Sequence, residues 1–224
     1  MNYGSVIFDM DGVLLNSLVE DEAWKYRAVR EALERKSIDP EEVPKKDLER
    51  FLGDYGREEC IAVCSEYNLD AGEVWKLIAE TTNLARIEKV KNGDFRLYSD
   101  ARSFLEALHP RDPGLGLISN APEDAVKTTV RFFNIERYFN YYRGVESFRD
   151  LKKRKPNPDH LEIAEAELKK PPYLYIGDAP SDIEAAKRAG MDSALVRREN
   201  TKDDIEADFR VEDLNELGSQ LDIL

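Results

Sequence analysis

The sequence predicts an α/β fold in which a doubly wound parallel sheet carries an inserted, all-helical segment. Short continuous apolar runs such as Val6–Phe8 are typical of parallel strands that are buried on both faces. These runs alternate with segments of helical periodicity, which is the pattern of a doubly wound sheet. One stretch, from about Ser17 to Val90, has helical periodicity throughout and no convincing strand. We therefore predict a helical insertion between the first and second strands.

The core elements are predicted in a regular order. Strands are expected at Val6–Phe8, Gly114–Ile118, Tyr173–Ile176 and Ser193–Val196. Helices are expected over Asp100–Leu108, Glu123–Phe133, Pro158–Leu168 and Ser181–Ala189. Because parallel strands need a crossover between them, this alternation favours a sheet with helices on both faces.

Helix start and stop signals divide the insertion. Ser17–Glu20 has the Ser-x-x-Glu form of a capping box, which predicts a helix beginning just after the first strand. Pro40 and Pro44 break the helical pattern, and a long helix is expected from Gly72 to about Val90. Residues 91–94 form the predicted return linker. The expected domains are a core at 1–15 and 92–224 and a helical cap at 16–91.

Composition excludes several classes of partner. The 224 residues include 33 Lys and Arg against 46 Asp and Glu, a formal net charge of −13. Such a surface repels phosphate backbones and anionic lipids, so we expect neither nucleic acid nor a membrane as a partner. The two cysteines, Cys60 and Cys64, lie four apart in a helical pattern, so we expect free core thiols rather than a disulfide.

The expected compartment is the cytoplasm. No apolar run approaches the roughly 20 residues of a membrane span, and the first residues do not resemble a signal peptide. We expect a monomer or a weak homodimer.

Two acidic pairs follow predicted strands. Asp9 and Asp11 come directly after the first strand, and their two-residue spacing lets both side chains point to one side. Gly12 permits a sharp turn after them. Asp178 ends a later strand, and Asp182 lies in the first turn of the next helix, so both could reach one hard cation such as Mg²⁺. A turn or a helix-capping role is the structural alternative for each pair.

Hydroxyl, amide and ammonium groups occupy comparable strand-to-helix junctions. Ser119 and Asn120 end the predicted second strand, where they could donate hydrogen bonds to an anion or simply cap the next helix. Lys155 belongs to a basic run in an acidic chain and directly precedes a proline. A basic run is usually a solvated face, but this lysine could also be a fixed positive charge near the strand ends.

Taken in order, these motifs resemble those of the haloacid dehalogenase superfamily, specifically phosphatases of the phosphoglycolate phosphatase and β-phosphoglucomutase type with a helical cap. Asp9-Met10-Asp11-Gly12-Val13 is similar to the family's D-x-D-G-[TV] motif, and Ser119-Asn120 to its hydroxyl motif. Lys155-Pro156-Asn157-Pro158 is similar to K-P-x-P, and Gly177-Asp178 with Asp182 to G-D-x-x-x-D. Two positions depart from the pattern: Ala179 stands where many relatives carry Ser or Thr, and Asn16 where Asp is common.

The resemblance implies a Mg²⁺-dependent phosphatase acting on a small phosphorylated metabolite. Asp9 is then the nucleophile and Asp11 the acid and base, while Lys155 supplies a positive charge. Gly12, Ser119 and Asn120 are expected to bind the phosphate. The implied Mg²⁺ ligands are Asp9, the Asp11 carbonyl, Asp178 and, directly or through water, Asp182.

The substrate and the fate of the phosphoryl group stay open at this point. A phosphomutase or other phosphotransferase uses the same core residues, and a non-catalytic protein could keep the fold, although all four acids are present here. A dehalogenase is disfavoured because it lacks the second acid, whereas Asp11 is present. In the predicted cap loop 51–57, Arg57 is a candidate for binding a second anionic group, and an exposed arginine in a helix–helix turn is its structural alternative.

Overall fold

The protein is described here from a computed structural model that covers residues 2–17, 23–53, 56–198 and 205–223. Six strands form a single parallel sheet: β1 Ser5–Phe8, β2 Gly114–Pro122, β3 Tyr141–Val145, β4 Tyr173–Gly177, β5 Asp192–Val196 and β6 Phe209–Val211. Their order across the sheet is β3-β2-β1-β4-β5-β6. The chain order therefore reverses at β1, and β1 lies between β2 and β4.

The helices in the described ranges are α1 Ala23–Glu34, α2 Lys45–Leu52, α3 Arg57–Glu66, α4 Ala71–Asn92, α5 Ser99–Leu108, α6 Glu123–Phe132, α7 Asp159–Leu168, α8 Pro180–Arg188 and α9 Leu214–Gln220. The first four lie between β1 and β2. No helix among the described residues combines the length and the apolar character that a membrane span requires. The predicted α/β class, with helices inserted after the first strand, is confirmed.

Side-chain alternation along β1 explains why helices cover both faces of the sheet. Val6 and Phe8 contribute to one apolar cluster, which contains residues of α5, α6 and α9. Ile7 points to the opposite face and belongs to a second cluster with residues of α7 and α8. Every residue of β1 is buried, as the continuous apolar run predicts for a central parallel strand.

The helices α1–α4 share an apolar cluster of their own. Its members include Leu33, Phe51, Val63 and Ile78, one from each helix. Cys60 and Cys64 lie in the same cluster as buried free thiols, in agreement with the sequence expectation. The separate cluster supports the predicted division into a core and a cap, and the exact boundaries stay a prediction.

The start of the insertion is only partly described by the structure. Most of the predicted capping box at 17–20 lies outside the described residues. Ser17 itself is described, and its hydroxyl donates a hydrogen bond to the Asp11 carboxylate. Asn16, at the predicted start of the cap, is joined to Arg96, just after the predicted return linker, since the backbone N–H of each donates to an oxygen of the other, at 2.9 and 2.5 Å.

Two strands and one helix were not predicted. β3 contains Arg143 and Gly144, which interrupt the apolar run that identifies a buried strand. β6 has only three residues and an exposed arginine at its centre. α9 is short, and its N-cap is Asp213, whose side chain accepts a hydrogen bond from the Glu216 N–H.

Candidate active site

The predicted site residues meet at the carboxyl edge of the sheet, beside the point where the strand order reverses. Asp9 follows β1, and its backbone N–H donates to the Ile176 carbonyl of β4 at 2.8 Å. Asp178 follows β4 directly. A cavity of about 340 Å³ opens between these strand ends and the cap helices. Ligands of open α/β sheets bind at this kind of edge, so the cavity is the candidate active site.

The Lys155 ammonium group lies at the centre of the polar groups in this cavity. It is 2.8 Å from Asp9 Oδ1 and 2.6 Å from Asp182 Oδ1, and it donates a hydrogen bond to the Tyr175 hydroxyl at 2.7 Å. Only 6% of Lys155 is exposed. Burial disfavours the charged ammonium, but the carboxylates of Asp182 and Asp9 outweigh burial and raise the pKa of Lys155. The lysine is therefore a fixed positive charge.

Asp182 holds the loop that carries Asp178. Its Oδ2 accepts hydrogen bonds from the backbone N–H groups of Asp178 at 3.1 Å and Ala179 at 3.0 Å. The approach is so close that a Cβ on Gly177 would lie 2.2 Å from the Asp182 Cβ. The glycine of the Gly177-Asp178 pair is thus required by packing, and both Asp182 oxygens are engaged within the protein.

Three carboxylates crowd around this single lysine. Oxygens of Asp9, Asp178 and Asp182 all lie within 4.8 Å of one another. Burial is the main cause that raises the pKa of Asp9 to about 7, and Lys155 opposes the shift. Burial, followed by repulsion from Asp9 and Asp182, raises the pKa of Asp178 to about 8. Fully ionised, the three carboxylates would carry more negative charge than Lys155 neutralises, and this is why Asp9 and Asp178 hold their protons to higher pH.

This cluster fits a hard divalent cation. Asp9 Oδ1 is buried and accepts no aligned hydrogen bond, although the Lys155 ammonium is near it. Carboxylate oxygens are the ligands that Mg²⁺ prefers, and Asp178 is partly exposed, as a ligand at the end of an open cavity would be. The residues present are therefore suited to Mg²⁺. Asp9 and Asp178 offer carboxylate oxygens for the ion, whereas Asp182 uses its Oδ2 to hold the loop at Asp178 and Ala179.

Asp11 faces the cap rather than this cluster. The two Nη atoms of Arg86, on α4, donate to its two carboxylate oxygens at 2.7 and 3.0 Å. Burial opposes the charge on Asp11, but Arg86 and the Ser17 hydroxyl outweigh burial and hold the pKa of this carboxyl below its ordinary value. The two acids of the first motif are thus in opposite electrostatic environments, which is common where two carboxyls have different roles.

The amide of Asn120 positions Lys155 instead of facing the cavity freely. Its Nδ2 donates to the Lys155 carbonyl at 3.1 Å, and its Oδ1 accepts from the Lys155 N–H at 2.8 Å. Ser119 is buried and its Oγ accepts the Ala121 N–H at 3.1 Å, so its hydroxyl hydrogen remains available to a ligand. Gly12 has a φ of 79°, and its N–H donates to the Leu15 carbonyl at 2.8 Å in the turn that follows Asp11.

The structure does not bring Arg57 to the cavity. Its guanidinium carbon lies 4.9 Å from the centre of the Phe148 ring, and it pairs with the adjacent Glu58 at 3.0 Å. The cavity lining contains other cations, including Arg86 and Arg154. Arg154 donates to the Gly53 carbonyl at 2.9 Å and so joins the core to the cap loop.

The sequence analysis missed Arg86 and Arg154. Arg154 stands in the basic run that was noted, next to the selected Lys155. Arg86 carried no usable signal, because a single arginine in a long helix of mixed charge is usually a solvated residue. Only the fold places it beside Asp11.

Comparison with known proteins identifies the family of this chain. The sequence model of the haloacid dehalogenase-like hydrolases matches residues 6–196, which is most of the chain and includes every motif described above. The chain belongs to the haloacid dehalogenase-like hydrolase family. One relative, a phosphoglycolate phosphatase from Aquifex aeolicus, is 30% identical over 199 residues, which cover 85% of this chain and 83% of the relative.

Solved structures share the whole architecture of this haloacid dehalogenase-like hydrolase. CbbY from Rhodobacter sphaeroides, determined in complex with phosphate, superimposes with a TM-score of 0.73 at 20% identity over 96% of each chain. A putative β-phosphoglucomutase from Thermotoga maritima gives a TM-score of 0.64 at 21% identity, over 98% of this chain and 99% of that one. At such low sequence identities, the structural similarity establishes only that the fold is shared. The family match and the Aquifex relative confirm the prediction that the chain is an enzyme that hydrolyses phosphoric monoesters.

Proposed function

We propose that this enzyme is a Mg²⁺-dependent phosphatase that acts on a small phosphorylated metabolite through a phospho-aspartate at Asp9. The observation that carries the proposal is the buried Asp9 at the end of β1, with the Lys155 ammonium 2.8 Å away and Asp178 and Asp182 beside it. A phosphoryl group delivered to Asp9 would meet fixed positive charge at once. Such charge is the main requirement for catalysis of phosphoryl transfer.

Asp9 and Asp11 divide the chemistry between them. An Asp9 carboxylate oxygen attacks phosphorus, and the bond from phosphorus to the ester oxygen breaks. Asp11 acts as the acid in this step only after it has left Arg86 and bound a proton from solvent, which it then gives to the ester oxygen. Asp11 then takes a proton from water, which attacks phosphorus and breaks the bond to Asp9. The products are the alcohol and inorganic phosphate, and both carboxyl groups return to their starting forms.

The metal would be held by Asp9, Asp178 and the Asp11 carbonyl, with Asp182 acting through water because both of its oxygens are engaged within the protein. When bound, Mg²⁺ supplies positive charge that lets the carboxylate of Asp9 approach an anionic phosphate. Ser119 can donate its hydroxyl hydrogen to the phosphate. Asn120 acts on Lys155 rather than on the substrate side of the cavity.

We propose a cytoplasmic enzyme with a monomeric or weakly dimeric state, for which the acidic composition and the reduced, buried cysteines give support. The same acidity supports the absence of nucleic acid and membrane partners.

A phosphate-release screen tests the function. The enzyme would be incubated with Mg²⁺ and a panel of phosphorylated acids, sugars and alcohols, and inorganic phosphate would be measured. We expect release from at least one small ester, and a loss of more than about 1,000-fold in Asp9→Asn, because the isosteric amide cannot form the phospho-enzyme. Asp112→Asn is the matched control, since the Asp112 side chain is 91% exposed. Wild-type turnover in Asp9→Asn would contradict the assignment.

A phosphomutase is the second candidate. The cap contributes Trp24, Trp75 and Ile78 to the cavity, and an apolar roof would restrict water and favour transfer to a second alcohol. Product analysis separates the two reactions. A phosphatase releases inorganic phosphate in proportion to substrate consumed, whereas a mutase returns an isomeric ester.

A further inference from the structure

Arg154 joins the cap to the residue that supplies fixed positive charge in the site. Its Nη1 donates hydrogen bonds to two cap carbonyl groups, those of Gly53 at 2.9 Å and Leu52 at 3.4 Å. The next residue along the chain is Lys155, whose ammonium lies 2.8 Å from Asp9 Oδ1. Of these two adjacent side chains, one therefore reaches the cap and the other reaches the proposed nucleophile.

The two carbonyl groups lie at the C-terminal end of α2, which is the negative end of the helix dipole. α2 ends at Leu52, and Gly53 is its left-handed C-cap with a φ of 77°. A guanidinium is favourable at this end of a helix, where the last carbonyl groups lack intrahelical partners. A Cβ on Gly53 would lie 3.3 Å from Arg154 Nη1, so the glycine permits the close approach of the guanidinium.

The segment that precedes Arg154 also packs against the cap. It is the short 3-10 helix Phe148–Lys153, which follows β3. Leu151 of this segment is buried in an apolar cluster that contains Trp75 of α4. The guanidinium carbon of Arg57, on α3, lies 4.9 Å from the centre of the ring of the segment's first residue. The backbone that leads to the lysine is therefore supported by three helices of the cap.

The core holds the same backbone from the other side. The Asn120 amide forms two hydrogen bonds with the backbone of Lys155, at 3.1 and 2.8 Å. A lysine has a long, flexible stem, so the position of its ammonium depends on how firmly the backbone is held. Here the ammonium lies between Asp9 and Asp182, and a displacement of about 1 Å in such a site can cost about 100-fold in rate.

We propose that Arg154 is a positioning residue that couples the position of the cap to the position of the Lys155 ammonium. This inference rests on the proposed function, because it takes Lys155 as the charge that serves Asp9. While the cap lies on the core, the hydrogen bonds to the end of α2 hold the segment and keep the ammonium beside Asp9. Without those bonds the lysine backbone keeps its hydrogen bonds to Asn120 but loses its support from the cap. Arg154 thus acts on the rate through Lys155 and not through the substrate.

Steady-state kinetics on several phosphate esters test this role. Arg154→Met removes the donors and keeps a long, flexible side chain. We expect kcat to fall by about 10- to 100-fold, by a similar factor on every ester that the wild type hydrolyses, while KM changes by less than about threefold. Arg154→Lys keeps the charge and can donate to one of the two carbonyl groups, so its kcat should lie between those of the wild type and Arg154→Met. Arg149→Met is the matched control, since Arg149 is an exposed arginine of the same 3-10 helix, and it should keep the wild-type kcat.

Hydrogen–deuterium exchange of the substrate-free enzyme gives a readout that does not depend on turnover. Arg154→Met should speed exchange in residues 148–155 by about tenfold, because the segment loses hydrogen bonds from a charged donor to the cap. Exchange in α8, on the far side of Lys155 from the cap loop in the chain, should not change. Arg149→Met should leave both segments as in the wild type. A residue that only contacts the substrate would not alter exchange in its absence.

Three results would overturn the coupling while leaving the phosphatase function intact. The first is a wild-type kcat in Arg154→Met, and the second is unchanged exchange in residues 148–155 of that variant. The third is a loss that is confined to KM or differs widely between esters, because Arg154 would then bind the substrate directly.

The remaining outcomes separate folding and function from the coupling. The thermal midpoint of each variant reports its folding. If Arg154→Met does not fold, Arg154→Gln, whose side chain is shorter, takes its place in both measurements with the same expected results. If the wild type hydrolyses no ester, the proposed function itself is refuted, and the exchange measurement still decides whether Arg154 holds the segment to the cap.

Discussion

Asn120 and Lys155 are joined by two hydrogen bonds that run in opposite directions, one at 3.1 Å and the other at 2.8 Å. The Asn120 amide thereby holds the backbone of the residue whose ammonium lies between Asp9 and Asp182. Since β2 carries Asn120, the end of that strand fixes the position of a charge that serves the ends of β1 and β4. The relationship explains why an amide is needed at this strand end.

We expect Asn120→Ala to lower kcat by about 10- to 100-fold with a smaller change in KM, because Lys155 loses both backbone hydrogen bonds. The free energy of unfolding should also fall by about 1–3 kcal/mol. Steady-state kinetics and urea unfolding measure the two effects. Asn157→Ala is the control, because Asn157 lies in the same segment and its side chain accepts a local hydrogen bond from the Asp159 N–H at 2.9 Å. A larger kinetic loss in the control would contradict the assignment.

The contact between Gly177 and Asp182 makes a second prediction. Gly177→Ala would place a Cβ 2.2 Å from the Asp182 Cβ and 2.6 Å from its Cγ, so the loop that carries Asp178 must move. We expect a loss of about 2 kcal/mol or more in unfolding free energy, together with weakened Mg²⁺ binding.

Gly72→Ala is the matched control for this substitution. Gly72 lies in the first turn of α4, and a Cβ there meets only an Asp70 oxygen, at 3.3 Å. Replacing a glycine in a helix by alanine is favourable by roughly 0.5–1 kcal/mol, so this variant should be as stable as the wild type or more so. Chemical unfolding of both variants decides the comparison, and equal destabilisation would refute the packing argument.

The acidic cluster predicts that the metal-free enzyme becomes less stable as the pH rises. The pKa values of Asp9, about 7, and Asp178, about 8, are raised above the ordinary value of 3.8. The folded state therefore binds more protons than the unfolded state between these limits, and the stability that this provides is lost as pH rises through the folded values. Mg²⁺ should restore stability, because it replaces the protons.

Thermal unfolding in EDTA and in Mg²⁺ over about pH 6–9 measures this linkage. The increase in Tm caused by Mg²⁺ should be largest at the alkaline end for the wild type. Asp178→Asn should be less sensitive to pH in EDTA and should lose most of the response to Mg²⁺. A wild-type Tm that does not respond to Mg²⁺ at any pH in this range would exclude a metal site at the cluster.

His160 predicts a separate loss of stability in acid. It is fully buried on α7, and neither ring nitrogen has a hydrogen-bond partner among the described residues. Burial lowers its pKa to about 4 from 6.5. The unfolded state therefore binds the proton more tightly, so stability is fully present above the unfolded value and is lost as pH falls from 6.5 toward 4.

Urea midpoints at several pH values between these limits test the role of His160. His160→Phe should show a shallower decline in acid than the wild type, since the buried ionisable group is gone. His109→Gln is the control, because His109 is exposed and is the only other histidine of the chain. An equal decline in His160→Phe and the wild type would show that other groups cause the acid sensitivity.

Local chemistry explains which parts of the fold could be predicted from the sequence. The four predicted strands are runs of buried apolar residues, and the helices between them have clear apolar periodicity. Residues close together in the sequence are therefore enough to predict these elements. β3 and β6 could not be predicted in this way. Their strand conformation comes from pairing with β2 and β5 at the edges of the sheet, where Arg143 and Arg210 are tolerated.

Some residues of the candidate site could likewise be predicted from local sequence, and others could not. The amino-acid pattern alone indicates that Asp9, Asn120 and Asp178 lie at the ends of strands, and parallel strands bring their carboxyl ends to one edge. That Arg86 and not Arg57 lines the cavity follows from how the helices pack, because helical periodicity indicates which residues share a face but not what that face packs against. The docking of α4 over the sheet edge, which depends on contacts between residues far apart in the chain, pairs Arg86 with Asp11 across 75 positions.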